Sequence, residues 1–223
     1  MTSPYFADLS GTPVIACALA IPLSGMWHVD LVLDSSPPAV VGPQVLTLAG
    51  STWSCAPIRV IAFAGRTEAR LVAGNAGWRT TVTAKQYQSP GGVVLSMVLG
   101  DLAALVQETP PVLDPSLAPT VGAGYVRQAG VASLVLQDLL GDAWWTDPTG
   151  VVQTSARPPT PITSPFTVES VHGASGRYLV ATETPADWIP GATFTGPTAS
   201  GTVNLVRHVL SESGFRTEIM VSP

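Results

Sequence analysis

From Trp27 to Asp34 apolar and polar side chains alternate, with Val32 the one apolar residue on the polar side. Trp27, Val29, Leu31 and Leu33 fall on one side of an extended chain, and His28, Asp30 and Asp34 fall on the other. That period of two is the mark of a strand with one face in a core. Similar short runs rich in Val, Ile, Leu, Thr and Trp occupy Pro13–Leu19, Met26–Leu33, Val45–Ala49, Ile58–Phe63, Ala69–Ala73 and Trp78–Ala84. Ser24-Gly25, Ser35–Pro38, Ala64-Gly65 and Gly74–Gly77 separate them, residue types that end strands and make turns. Six short strands at such even spacing predict a small barrel or sandwich.

The period then changes. Leu95, Val98, Leu99, Leu102, Leu105 and Val106 share one helical face, with Ser89-Pro90 expected as cap and first position and Pro110-Pro111 as the stop. A second helix is predicted from Val131, Leu134, Val135, Leu136, Leu139 and Leu140, ended by Gly141 in a left-handed conformation. Val98-Leu99-Gly100-Asp101-Leu102 and Val135-Leu136-Gln137-Asp138-Leu139 echo one another, two copies of one pattern. Between the helices, Thr109–Thr120 carries four prolines and predicts a stiff extended connection. After the second helix, Trp144–Thr146 and Val151–Thr154 flank Asp147-Pro148-Thr149-Gly150, which suits a type I turn and predicts a hairpin. A helix with so narrow an apolar stripe needs a sheet to lie against.

A proline-rich seam at Arg157–Pro165 follows, and strands return at Phe166–His172, Tyr178–Thr182, Thr193–Phe194, Thr202–Leu210 and Phe215–Val221. In the last of these Phe215, Thr217, Ile219 and Val221 alternate with Arg216, Glu218 and Met220, and Ser211–Gly214 reads as the turn of a closing hairpin. Arg216 and Glu218 are expected to form a surface ion pair on this strand. The fold class is therefore α+β, mainly β: two small barrel- or sandwich-like domains, residues 1–88 and 157–223, with a two-helix segment, residues 89–156, between them.

Composition changes this picture in one respect. Of 223 residues 46% are apolar and only 11% charged, with a single lysine, Lys85, whereas soluble domains carry about a quarter charged residues. Much of the surface is expected to be covered by other subunits. The net charge of −5 argues against electrostatically driven nucleic-acid binding and suits a wall past which DNA slides. Cys17 and Cys55 sit in apolar strands without a zinc-like spacing and are expected as buried free thiols. Val14-Ile15-Ala16-Cys17 resembles a lipoprotein cleavage box, but no Lys or Arg precedes Arg59, so no signal peptide is expected. The run Val14–Leu23 is too short for a membrane span, so a soluble protein of a reducing cytoplasm is expected.

A search for chemistry finds little. His28 and Asp30 could form a metal pair or an acid/base couple, or simply a solvated strand face. His28, His172 and His208 share no spacing, no HExxH or G-x-S-x-G occurs, and no glycine-rich phosphate loop carries a lysine. Neither enzyme activity nor a cofactor or metal is expected. Trp144, Trp145 and Trp188 are expected either in the core or as anchors of a subunit interface, where tryptophan is enriched.

The run Val98–Ala103 followed by Gln107-Glu108-Thr109, the Trp-Thr-Asp-Pro-Thr-Gly turn after the second helix, and the closing Val206-Arg207-His208-Val209 and Gly214–Glu218 hairpin together resemble the baseplate or tail hub proteins of tailed bacteriophages, in the broad Mu-like group. The likeness spans most of the chain. It implies a structural virion protein, a homotrimer whose paired barrel-like domains make a pseudo-sixfold ring joining the tail tube protein to a spike or tail-tip protein. The tape measure protein is a further implied partner, with no specific nucleic acid and no membrane. A carbohydrate-binding tail-tip or receptor module, or another minor tail protein, is the competing expectation.

Overall fold

The computed structural model describes residues 6–34, 40–172, 175–196 and 199–221, and in it the period-two stretches become one continuous sheet. The first part comprises β1 (Ala7–Leu9), β2 (Thr12–Pro22), β3 (His28–Leu33), β4 (Gln44–Leu48), β5 (Ser51–Phe63) and β6 (Arg66–Ala73). Their order is β1-β4-β5-β6-β3-β2, and β1 pairs again with β2 through Asp8↔Pro13, so the six close into a barrel. Closure leaves the barrel few open edges. The sixth strand expected from the sequence, Trp78–Ala84, is not part of it. Gly77–Arg79 is a single 3-10 turn, and β7 (Thr81–Val82) pairs outside the barrel; β1 takes the sixth place instead.

The C-terminal part comprises β13 (Phe166–His172), β14 (Arg177–Thr182), β15 (Thr193–Thr195), β16 (Ser200–Ser211) and β17 (Gly214–Val221). All five lie where the alternation places strands. β16 and β17 are joined by a two-residue turn, with Ser211 opposite Gly214 and Gly214 at φ 117. Glu218 does not pair with Arg216. Its carboxylate lies 2.7 Å from Arg177 and 3.5 Å from Arg207, residues of the two flanking strands. Opposite positions on paired strands approach more closely than alternate positions along one strand.

β2 ties the two parts together. Its Thr12–Pro13 end pairs with β1, while Cys17–Pro22 on the same edge pairs with Leu210–Leu205 of β16. The sheet therefore runs without interruption as β5-β6-β3-β2-β16-β17-β14-β13. One face of it is buried in a single core that takes Leu19, Ile21, Trp27, Leu31 and Leu71 from the barrel and Val180, Trp188, Val206 and Ile219 from the C-terminal strands. Burying each such side chain stabilises the fold by about 1.5–3 kcal/mol. Cys17 and Cys55 are buried and free, and burial pushes their thiols up to about 11 and about 12.

The middle segment has a core of its own. It contains β8 (Lys85–Gln88), α1 (Leu95–Leu105), β9 (Gly124–Arg127), β10 (Gly130–Val131), α2 (Ala132–Leu140), β11 (Trp145–Thr146) and β12 (Val152–Gln153). Leu99, Leu102, Val135, Leu136, Trp78, Trp144 and Val152 pack together there. α1 starts later than Ser89: Gly92 sits at φ 96 in a turn closed by its N–H to the Ser89 carbonyl, a conformation that excludes helix. It ends before the prolines, because Gln107 at φ 58 and the Glu108 N–H bonded to the Ala103 carbonyl form a Schellman stop. α2 ends at Gly141 as expected, but with φ 59 and ψ −133 the residue lies outside the left-handed helical region and in one that only glycine adopts readily.

The echoed helices belong to a structural duplication. The first N–H of α1, from Leu95, bonds the Pro119 carbonyl at 2.9 Å, and that of α2, from Ala132, bonds the Thr80 carbonyl at 2.9 Å. Tyr87 of β8 and Tyr125 of β9 face each other in register, and each donates its hydroxyl to the aspartate of its own following helix, Asp101 at 2.6 Å and Asp138 at 3.0 Å. One feature breaks the symmetry: Arg127, only 2% exposed, bonds Asp101 at 3.1 Å, the Tyr87 oxygen at 3.2 Å and the Thr83 carbonyl at 3.3 Å. Asp101→Ala leaves that guanidinium without its counter-charge. It is expected to cost about 3 kcal/mol in chemical denaturation, whereas Asp138→Ala, at an exposed hydrogen bond, costs less than about 1 kcal/mol.

Candidate assembly interface

β5 outruns its neighbour. Up to Cys55 it pairs with β4, and beyond that only β6 accompanies it, so one edge of Ile58–Phe63 has no backbone partner among the described residues. A register shift at Pro57/Arg59 marks the departure, and Ala64-Gly65, both at positive φ, closes the β5–β6 hairpin in the two-residue turn that strand twist favours. Along this arm Ile58, Val60 and Ile61 are each about two-fifths exposed and Phe63 is 80% exposed. An apolar edge strand of this kind adheres to other strands unless something covers it. The sequence marked Ile58–Phe63 as an ordinary barrel strand. An apolar run is also what a strand buried on both faces would show, so nothing local distinguishes it from an arm that projects.

The opposite end of the sheet is β13, which pairs with β14 alone. Its Val171 is 48% exposed, and Glu169 sits at a bulge with no basic residue within ion-pair distance among the described residues. At the β5 end the same holds in reverse, since neither Arg59 nor Arg66 has a carboxylate within that distance.

Two of the three tryptophans expected as interface anchors are spent inside the chain. Trp188 is fully buried against Phe166 and Phe194, with ring centroids 5.1 and 5.6 Å away. Trp144 is 4% exposed in the helical core and donates Nε1–H to Gln137 at 3.1 Å. Trp145 stays half-buried, its ring 4.0 Å from the Arg157 guanidinium and its Nε1–H on the Ser155 carbonyl. Trp27 and Trp78 are fully buried and Trp53 nearly so, which leaves no row of open indoles for stacking sugars.

The acidic member of the candidate acid/base pair is taken by a neighbouring arginine. Arg70 grips Asp30 with two bonds of 2.6 and 2.7 Å and holds its carboxyl below the usual range, while burial lowers the pKa of His28. Among the described residues no three His, Cys, Asp or Glu side chains gather as a metal site, and no helix is long and apolar enough to cross a membrane. His208 lies in the shared core, Nδ1 3.1 Å from Thr217 Oγ1 and its ring stacked on Phe215.

Three solved structures share this architecture. The E. coli c3393 protein, a component of the type VI secretion system with structural similarity to the T4 bacteriophage tail proteins gp27 and gp5, aligns over 97% of this chain and 77% of its own at a TM-score of 0.70 and 13% identity. The 43 kDa tail protein of prophage MuSo2 from Shewanella oneidensis aligns over 96% of both chains, TM-score 0.65, 8% identity. The tail protein from Neisseria meningitidis MC58 covers 97% of this chain and 96% of its own, TM-score 0.66, 13% identity. The chain has the fold of a phage tail protein. No family model matches it, and no curated protein matches it in sequence. Within this fold the β5 and β13 ends of the sheet each keep an edge without a backbone partner among the described residues.

His208 gives a check on the shared core. Burial lowers its pKa from 6.5 to about 4, so the folded state holds it neutral while the unfolded chain protonates. Its contribution is complete above pH 6.5 and is lost as pH falls from 6.5 towards 4, at up to about 1.4 kcal/mol per pH unit. His208→Gln keeps a partner for Thr217, and its unfolding free energy is expected to be flatter across that window than the parent's in denaturant titrations.

Proposed function

We propose that the protein is a structural subunit of a phage tail baseplate, a hub whose three copies close into a ring between the tail tube protein and the spike or tail-tip protein. The observation that carries this reading is the eight-strand sheet with two unfilled and complementary ends. The β5 end offers an apolar edge with Arg59 and Arg66, and the β13 end offers a free edge with Glu169. Two different edges that fit each other make a heterologous contact, and a heterologous contact either closes as a ring or runs on as a filament. Each copy brings a closed barrel and a set of C-terminal strands that continues its sheet, so three copies present six β units to a sixfold tube. The proposed units are residues 1–88, 89–156 and 157–223.

Of the three tryptophans, Trp145 alone has surface left to offer a neighbouring subunit, and we assign it to the rim of the contact. The low charge of 11% fits a chain whose surface is occupied by permanent partners, because charged residues are depleted at interface cores. The tape measure protein is a further partner of such a ring, and the protein works in the virion tail after assembly in the host cytoplasm. Its role is geometric, without catalysis or cofactor.

Light scattering and sedimentation of the purified chain are expected to give three times the chain mass. Replacing Ile61 and Phe63 together with lysine, on an arm that packs into no core, is expected to leave thermal unfolding unchanged while the trimer falls apart to monomer. A parent protein that stays monomeric at high concentration would refute the ring.

A further inference from the structure

The uncovered face of the eight-strand sheet differs from the rest of the molecule in charge. Register and burial place Arg59 of β5, Arg66 and Arg70 of β6, Arg207 of β16, Arg216 of β17 and Arg177 of β14 on this face. Asp30, Glu68 and Glu218 are the acidic residues that the seven strands from β5 to β14 place beside them. Six of the ten basic residues and three of the fifteen acidic ones give this area a net charge of +3 in a chain of −5. The negative balance in the sequence is thus segregated, not spread evenly. Glu218 and Asp30 are occupied by Arg177, Arg207 and Arg70, so the excess resides on Arg59, Arg66 and Arg216, the last bonded to the Ser213 hydroxyl, and none of the three has a carboxylate within ion-pair distance among the described residues.

The same face is also apolar between its charges. Ile61 is 42%, Phe63 80% and Met220 40% exposed, and Leu205 and Val209 are half-buried beside them. A trough of about 440 Å³ crosses it over Ala16, Ala18 and Val32, with Arg59, Arg70, Asp30 and Glu68 along its sides. A nucleic-acid backbone would satisfy the arginines but leave this hydrocarbon uncovered, since phosphates have no apolar counterpart to offer. A polypeptide that alternates carboxylates with leucine-like side chains satisfies both.

We propose that this face is a docking surface for an acidic amphipathic segment of another protein, seated with its apolar side in the trough and its carboxylates on Arg59, Arg66 and Arg216. The surface adjoins the β5 edge that closes the ring and shares Arg59 and Arg66 with it, while its trough and Arg216 lie inward of that edge and are open in a single copy.

The test uses the full chain and a fluorescent helical peptide of alternating leucine and glutamate faces, with its lysine counterpart and duplex DNA as controls, read by anisotropy. The glutamate peptide is expected to bind, more weakly as salt rises, and the lysine peptide not to bind. Arg59→Ser with Arg216→Ser, two exposed positions without a carboxylate partner, is expected to weaken binding about tenfold or more. Ala18→Gln, which fills the trough without changing charge, is expected to weaken it at unchanged thermal stability. Equal binding of the lysine peptide, no binding of the glutamate peptide, or tighter binding of DNA than of the peptide would each overturn the proposal. The proposal rests on that ring only for its setting, and the mass of the parent chain, read by light scattering in the same experiment, separates the two: a trimer that binds no glutamate peptide refutes the docking surface alone, and a monomer that binds it refutes the ring alone.

Discussion

The fold depends on how β2 divides its edge. Two residues at its start complete the N-terminal barrel, and six residues later in the same strand carry β16. Eleven residues long, it keeps Leu19 and Ile21 in the core while Ala18 and Ala20 lie on the open side. A strand that belonged wholly to the barrel would leave two sheets that meet only by packing. Because it is shared, backbone hydrogen bonds cross from one part to the other, and the buried side chains of both form one core.

The helical segment is bound differently. Its interior is filled by side chains from two copies of a strand-and-helix unit, with Tyr87 and Tyr125 stacked where the copies meet. Contacts to the N-terminal part include the Trp145 strand and its turn, where Gly25 and Trp145 bridge and the Trp27 indole N–H bonds the Asp147 carbonyl at 2.9 Å, and the end of α1, where Glu108 accepts from the Asn75 and Gly77 N–H groups. The buried Arg127 is costly to desolvate and is retained with three kinds of acceptor around it. Polar satisfaction of that kind specifies which strand faces which helix more than it adds stability.

Where strands stop decides what this fold leaves open. Pro57 and the turn at Ala64-Gly65 carry β5 past its neighbour and leave an edge that an isolated domain would have no reason to keep. The charge pattern has the same character. A balance of −5 predicts indifference to polyanions, yet the registers bring six arginines to one side of one sheet. Summed charge is a property of composition, and a field is a property of arrangement.

What the sequence determined by itself was local. The alternation from Trp27 to Leu33 and from Phe215 to Val221, the stop of α2 at Gly141 and the Asp147–Gly150 turn are all present, since each follows from contacts within a few residues. Only the tertiary structure decided which strand sits beside which. It placed the three residues of β1 as the closing strand, sent Trp78 to the helical core, paired the polar Lys85–Gln88 with Gly124–Arg127, and buried Trp144 and Trp188 within the chain. It also left Ile58–Phe63 in the open and gave Glu218 to Arg177 and Arg207. Those outcomes rest on partners far along the chain, and a side chain's period records that it faces something apolar without recording whether that something belongs to the same molecule.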